Sequence, residues 1–283
     1  MPISIPCPEC RNDIPQPAER CPHCGRPGIF WNVIAASDAA EQMALDSRYV
    51  TAITDAVSRG VAHVVQAFES VANKSDVVIA RSEGEVLRLA TSTRQLYATY
   101  YQQVDSGLKL PDGDEWALVR EVTDTLLFPQ YKKDIRFGAL SLDGVGLSNY
   151  GTCSIVLKEK MISHRASVFE ENSVLFTQKH GLGTSNPDLP KGFRSAWPDR
   201  GKLCIAKLAR GIDSTTEPAQ YSALLLKQGK TSADDDFVEV HIWGPLSILS
   251  ISEIMVRAPR QRQRMTIIKA LRAKLAKHGV PVN

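Results

Sequence analysis

Between residues 38 and 72 apolar side chains return every three or four positions, at Met43, Val50, Ile53, Val57, Val61, Val64, Val65, Phe68 and Val71. That period lines one face of an α-helix. Asp38 is a suitable N-cap, because its carboxylate can accept from the free N–H groups of a first turn, and Gly60 marks a kink. A second helical pattern runs over 84–104, with Val86, Leu87, Leu89, Leu96, Tyr97, Tyr100, Tyr101 and Val104, and stops at Asp105-Ser106-Gly107. Its tyrosines read as helix contacts, since no basic residues are interleaved with them as a base-stacking surface requires. Pro111-Asp112-Gly113-Asp114 predicts a turn, and Trp116, Val119, Val122, Leu126 and Leu127 predict a third helix that Pro129 ends.

From Asp134 the period falls to two. Residues 136–142 and 153–158 read as strands separated by the turn Asp143-Gly144-Val145-Gly146, and 162–170 follows them. Residues 237–243 alternate strictly, with Phe237, Glu239, His241 and Trp243 on one face and Val238, Val240 and Ile242 on the other. A carboxylate and an imidazole thus lie side by side opposite an apolar face. The intervening loop over 180–198 is long, and long loops over a β core often form lids, which makes His180, Arg194 and Trp197 its candidate site residues. The expected class is α+β, with a ribbon over 1–28, a helical segment over 29–132 and a β-rich domain with a basic C-terminal helix over 133–283.

The chain has 283 residues, 43% hydrophobic and 23% charged, the usage of a folded globular protein of about two domains. Against 31 Asp and Glu stand 34 Lys and Arg, a net charge of only +3, so electrostatic partners must be read locally. Arg257, Arg260, Arg262, Arg264, Lys269, Arg272, Lys274 and Lys277 fall in one run without an acidic residue, phased with Met265, Ile267, Ile268, Leu271 and Leu275. A helix there docks by its stripe and turns a positive face to an anionic partner: RNA or DNA from outside, or Asp234-Asp235-Asp236 from within. No run of about 18 apolar residues is present, and Met1 to Cys7 lack the charged and apolar regions of a secretory signal. The expectation is a cytoplasmic protein with no membrane span.

Cysteine usage points to a metal. Cys7-Pro8-Glu9-Cys10 is followed after ten residues by Cys21-Pro22-His23-Cys24-Gly25. Two residues between cysteines let both sulfurs of a tight turn face one ion, and two such turns supply the four thiolates of a structural zinc. In a reducing compartment this spacing favours metal over disulfide. Gly25 can take a positive φ, whereas the first turn has Arg11 at the matching place. Cys153 and Cys204 lie in apolar runs and read as buried small hydrophobes.

Taken in order, R-F-G-A-L-S-L (136–142), N-Y-G-T-C-S-I-V-L-K (149–158), H-R-A-S-V-F-E-E-N-S (164–173) and F-V-E-V-H-I-W-G-P (237–245) resemble bacterial toxin-type domains related to the ADP-ribosyltransferases. The resemblance covers about 120 residues, from Arg136 to Val256, and excludes the ribbon and the helices. It implies NAD as co-substrate, Glu239 as the catalytic carboxylate, Arg136 or Arg165 holding NAD, Tyr150 packing the nicotinamide, and a neutralising antitoxin as a partner protein. Arg165 paired with Glu170 or Glu171 is the alternative for that residue. Many arginine-modifying transferases carry Glu or Gln two residues before the catalytic carboxylate, where this chain has Phe237, so nucleic-acid bases, other side chains or plain NAD hydrolysis stay open in place of protein arginine. A non-enzymatic zinc-ribbon nucleic-acid-binding or adaptor protein is the competing reading.

Overall fold

The computed structural model describes the chain apart from residues 1–3, 8, 16–17, 106, 108–114, 184 and 258–261. The turn expected at Pro111–Asp114, Pro8 of the first cysteine pair and Arg260 of the basic run lie outside the described residues. The strands are β1 (Ser4–Pro6), β2 (Asp13–Pro15), β3 (Asp76–Arg81), β4 (Ile135–Ser141), β5 (Cys153–Leu157), β6 (Ala166–Phe169), β7 (Arg194–Ala196), β8 (Leu226–Lys227), β9 (Asp236–Phe237), β10 (Glu239–Trp243) and β11 (Ile251–Val256). The helices are α1 (Trp31–Ala36), α2 (Ala39–Ser58), α3 (Ala62–Ala72), α4 (Glu83–Leu89), α5 (Tyr100–Asp105), α6 (Glu115–Leu127), α7 (Glu159–Ile162), α8 (Ser173–Lys179), α9 (Arg200–Leu208), α10 (Tyr221–Leu225) and α11 (Arg262–Ala276). The fold is α+β, and none of its described helices is long and apolar enough to cross a membrane.

Its centre is a seven-stranded antiparallel sheet in the order β11-β5-β3-β4-β10-β6-β7. The third position, inside the sheet between β5 and β4, belongs to β3, which corrects the expectation of an all-helical segment over 29–132: that segment supplies an interior strand to the β-rich part. The run Val77-Val78-Ile79-Ala80 is buried on both faces, so it carries no polar alternation by which a strand is usually found. On one face of the sheet Val77, Ile79, Leu140, Ile155, Val168, Val240 and Ile242 pack against Phe68, Leu203, Ile205, Leu225 and Leu271 from the helices. Burying such side chains contributes roughly 1.5–3 kcal/mol each. On the other face, Ile135 and Phe169 meet Leu127, Phe128 and Phe176 near α6 and α8, while Val78, Ala139 and Phe237 cluster with Leu147.

Asp38 caps α2 through Oδ1, which accepts from Ala40 N–H at 3.1 Å, and Gly60, at φ 72°, separates α2 from α3. The helix expected over 84–104 is two short ones. Between α4 and α5 the chain runs extended enough for Tyr97 N–H to donate to Leu246 O at 2.8 Å. In α11 the docking stripe is Ile268, Leu271 and Leu275, while Met265 and Ile267 are exposed; Lys269, Arg272 and Lys277 face outward. Part of the outer edge of β11 is paired with residues 281–283, where Ile254 N–H donates to Pro281 O and Asn283 N–H to Ile254 O.

Candidate functional site

The first candidate site is the cysteine cluster. Two short loops have the same hydrogen-bond pattern: Arg11 N–H donates to Cys7 O at 2.9 Å in one, and Gly25 N–H to Cys21 O at 2.9 Å in the other. Arg11 and Gly25 occupy matching left-handed positions, at φ 59° and 69°, so the arginine accepts a backbone conformation that glycine takes freely. The four sulfurs of Cys7, Cys10, Cys21 and Cys24 lie within 4.8 Å of one another, close enough to hold one metal ion. Cys10 is held down to about 6 by hydrogen bonds from the Asn12 main chain and side chain. Cys24 is pushed up to about 12: the Arg26 N–H pulls its thiol down, but desolvation and the neighbouring sulfurs outweigh it. Crowded thiolates repel one another, and a cation reverses that sign.

The second site follows from how β3 and β4 part. Leu140 N–H donates to Val238 O, so even-numbered residues of β4 bond toward β10 and odd-numbered ones turn their main-chain groups toward β3. The β3–β4 ladder pairs Asp76–Ser141, Val77–Leu140 and Val78–Ala139 and ends there, although β3 continues beside β5 to Arg81 and β4 begins beside β10 at Ile135. Gly138 sits where they diverge; a Cβ there would lie 2.7 Å from Val77 Cγ1 and 3.0 Å from Val78 O. Beyond it opens a cavity of about 550 Å³, lined by the two strands, α5, α6, Tyr150, Asn172 and Glu239. Small-molecule sites commonly measure ~300–1,000 Å³.

Glu239 forms part of the cavity wall and is 3% exposed. Its Oε2 accepts from Ser173 N–H at 2.9 Å and lies 3.1 Å from His241 Nε2. Both anchoring contacts fall on Oε2, which leaves Oε1 for the cavity. Burial raises the carboxyl, but the His241 hydrogen bond and charge, Arg120 and the Ser173 N–H outweigh it and hold Glu239 below the ordinary carboxylate range. As an ionised carboxylate only accepts, Nε2 of His241 carries the hydrogen. The imidazole is fixed among aromatic rings, 4.8 Å from Phe128 and 5.4 Å from Phe137 between centroids.

Of the other sequence candidates, Tyr150 and Arg136 also line the cavity. The Tyr150 hydroxyl accepts from Asn172 Nδ2 at 3.3 Å; burial first, then Glu239 and Asp235, push it up to about 12, so it stays neutral. Gly151 brings it there: at φ 149° its backbone passes so close to β3 that a Cβ would lie 2.2 Å from the Arg81 carbonyl carbon. Arg136 donates to Asp134 O at 2.7 Å and to Gln102 Oε1 at 3.4 Å, and burial lowers it to about 10.

Arg165 is a correction. It is 0% exposed and does not reach the cavity. Its guanidinium donates to the main-chain oxygens of Met161, Trp243 and Pro245, and burial, then Arg136, lowers it to about 9. It ties off the end of β10 instead of holding a cofactor. Nor does it pair with either glutamate: Arg48 takes Glu170 and Lys179 takes Glu171. The loop candidates are anchors as well, with His180 stacked on Phe176, Arg194 against Glu41 and Trp197 Nε1 donating to Glu159. Cys204 is fully buried and pushed up to about 12 by desolvation, as suits a packing residue.

The helices contribute more than the sequence patterns indicate. The buried face of α6 is Thr123, Asp124 and Leu127, whereas Val122 is exposed. Polar residues in phase with Leu127 were the available signal, since a helix covering a cavity needs them where a helix covering a core does not. Arg120 lies over the Phe137 ring at 4.1 Å and its Nε is 3.2 Å from Asp124 Oδ2. Desolvation would discharge it, but Asp124 and Glu239 raise its affinity for the proton. Arg81, stacked over Tyr97 at 4.9 Å, adds another guanidinium. Three carboxylates (Glu85, Asp124, Glu239), three arginines and several tyrosines line the cavity, with Arg81 paired to Glu85 and Arg120 to Asp124, a lining that suits a ligand carrying hydroxyls, flat rings and a charged group. No protein-family model matches the chain, nor does any curated protein sequence.

Proposed function

We propose that this protein transfers ADP-ribose from NAD to a macromolecule, with Glu239 as the carboxylate that stabilises the ribose as nicotinamide departs. One observation carries the reading: a buried carboxylate at the wall of a cavity of about 550 Å³, anchored through Oε2 and with no hydrogen bond on Oε1 among the described residues. Breaking the bond from nicotinamide to C1′ builds positive charge on the sugar, and a fixed negative charge in a dry site stabilises that charge more than water does. The free oxygen can also accept from a ribose hydroxyl and so orient it. Arg120 and Arg136 have the charge for a pyrophosphate, and Tyr150 offers a neutral ring to the nicotinamide. The ordered motifs from Arg136 to Pro245 support the same class of reaction.

The cysteine cluster is a structural zinc site in this account. Tetrahedral zinc with thiolates at ~2.3 Å spaces the sulfurs by about 3.8 Å, against 3.7 Å for Cys7–Cys24 and 3.5 Å for Cys10–Cys21. Zinc supplies folding free energy there and takes no part in the transfer. The outward Lys269 and Arg272 of α11 and Lys277 just after it, with the ribbon, favour RNA or DNA as acceptor. Free thiols suit the cytoplasm of a bacterium, where such an enzyme acts as a toxin or defence effector that a partner antitoxin neutralises.

The test is incubation of the full chain with NAD labelled in its adenosine, together with RNA, DNA and lysate protein. Nicotinamide release and labelled nucleic acid are expected, and Glu239→Gln should lower both by roughly 10²–10³-fold with the fold retained. Salt-sensitive nucleic-acid binding without nicotinamide release under any acceptor condition would instead identify a non-enzymatic zinc-ribbon adaptor.

A further inference from the structure

Asp124 is a buried carboxylate at the cavity wall. It is 1% exposed on the buried face of α6, and it lines the cavity that holds Glu239. Its Oδ2 accepts from the Tyr101 hydroxyl at 2.8 Å and from Arg120 Nε at 3.2 Å, while its buried Oδ1 has no hydrogen-bond partner among the described residues. An unpartnered buried polar atom costs ~1–3 kcal/mol, and at the wall of a cavity it is available to a ligand or a proton. Tyr101 lines the same cavity. With its proton directed to Asp124, its oxygen has lone pairs left to accept another.

We propose that Tyr101 and Asp124 form a proton relay that activates the acceptor nucleophile in the cavity, a role that rests on the transfer reading above. The nucleophile's electron pair forms the new bond to C1′ of the ribose. The bond from C1′ to the nicotinamide nitrogen breaks, and its electron pair stays on that nitrogen and neutralises the ring. The acceptor's proton passes to the Tyr101 oxygen as the tyrosine's own proton passes to Asp124 Oδ2, and the carboxylic acid later loses it to solvent. No other reactant is needed.

The surroundings favour this division of labour. Desolvation first, then Glu239, raises Asp124 despite Arg120 and the Tyr101 hydrogen bond. Burial and the nearby Asp124 and Glu121 raise Tyr101 far above the ordinary phenol range, so a free phenolate does not form and the proton must travel on. Among the described residues Lys132 lies 5.4 Å from the Tyr101 ring, and Arg81, Glu85 and Arg136 line the same cavity. Glu239 is shifted the opposite way. Two carboxylates of one cavity whose proton affinities are driven apart are the usual arrangement of separate acid–base roles.

The experiment compares wild type, Tyr101→Phe, Asp124→Asn and the double variant of the full chain, following label transfer and nicotinamide release from NAD against pH. Each single variant should lower kcat by about 10²-fold, with NAD affinity within threefold of wild type. The double variant should be no slower than the singles, as members of one relay act as a unit. In wild type kcat should fall on the acid side as Asp124 takes up a proton, and that limb should vanish in every variant. Tyr101→Phe removes a single hydroxyl and carries the test alone if Asp124→Asn fails to fold. Single variants within threefold of the wild-type rate, additive losses near 10⁴-fold, or an unchanged acid limb would overturn the relay and leave the role of Glu239 standing. Wild type that releases no nicotinamide overturns both.

Discussion

Replacing Glu239 by alanine and by glutamine should have very different effects on stability, because both anchoring bonds converge on one oxygen. In Glu239→Ala, Ser173 N–H and His241 Nε2–H lose their acceptor inside the protein; at ~1–3 kcal/mol for each unsatisfied group the loss is about 2–6 kcal/mol. In Glu239→Gln the amide oxygen can take the place of Oε2 and keep both bonds. Those bonds weaken from charge-assisted to neutral, but the desolvation of a buried charge is relieved, so the net loss should stay below ~2 kcal/mol. At roughly 2–4 °C per kcal/mol for a chain of this size, thermal unfolding at pH 7 followed by circular dichroism resolves the two. Acid provides a second check. A carboxyl held below its ordinary range stabilises the fold above the unfolded value of ~4.3, and that contribution is lost as pH falls toward the folded value, so wild type should lose this part of its stability in acid while Glu239→Gln does not. Equal melting temperatures for the alanine and glutamine variants at pH 7 would refute the anchored-carboxylate geometry.

Stripping metal with a chelator, or Cys10→Ser, should release one equivalent of bound ion and expose the amides of residues 4–28 to hydrogen exchange while those of β4 and β10 stay protected, because the apolar cluster of the ribbon is little more than Ile14 and the cysteines. Gly151→Ala places a methyl against the Arg81 main chain in a left-handed conformation, and should cost more than ~2 kcal/mol in urea denaturation. Arg11→Asn should stabilise the metal-bound ribbon by about 0.5–1 kcal/mol in a competition assay for metal, since asparagine tolerates φ 59° better than arginine.

The parts of this molecule that sequence reveals are those whose meaning is local. The spacing of Cys7, Cys10, Cys21 and Cys24 carries the sulfur cluster because each pair closes within one turn. The alternation of Phe237 to Trp243 places Glu239 and His241 on one face because a strand has period two. The strand β3 has no such mark, for Val77 to Ala80 are buried on both sides. Arg165 resembles a ligand-binding arginine in its motif, yet the path of the chain at Trp243 and Pro245 turns it inward to cap main-chain oxygens. Tyr101 and Asp124 meet across a separation of 23 residues, and only the packing of α5 and α6 over the gap between β3 and β4 makes a site of them.

The most direct test is a crystal structure of the full chain with NAD bound under conditions that prevent turnover, in the Glu239→Gln variant. The dinucleotide is expected in the opening between β3 and β4, with a hydroxyl of its nicotinamide ribose within hydrogen-bond distance of the residue 239 side chain and its pyrophosphate beside Arg120 or Arg136. NAD absent from that opening at saturating concentration, or bound with its nicotinamide ribose away from residue 239, would contradict the proposed role of Glu239.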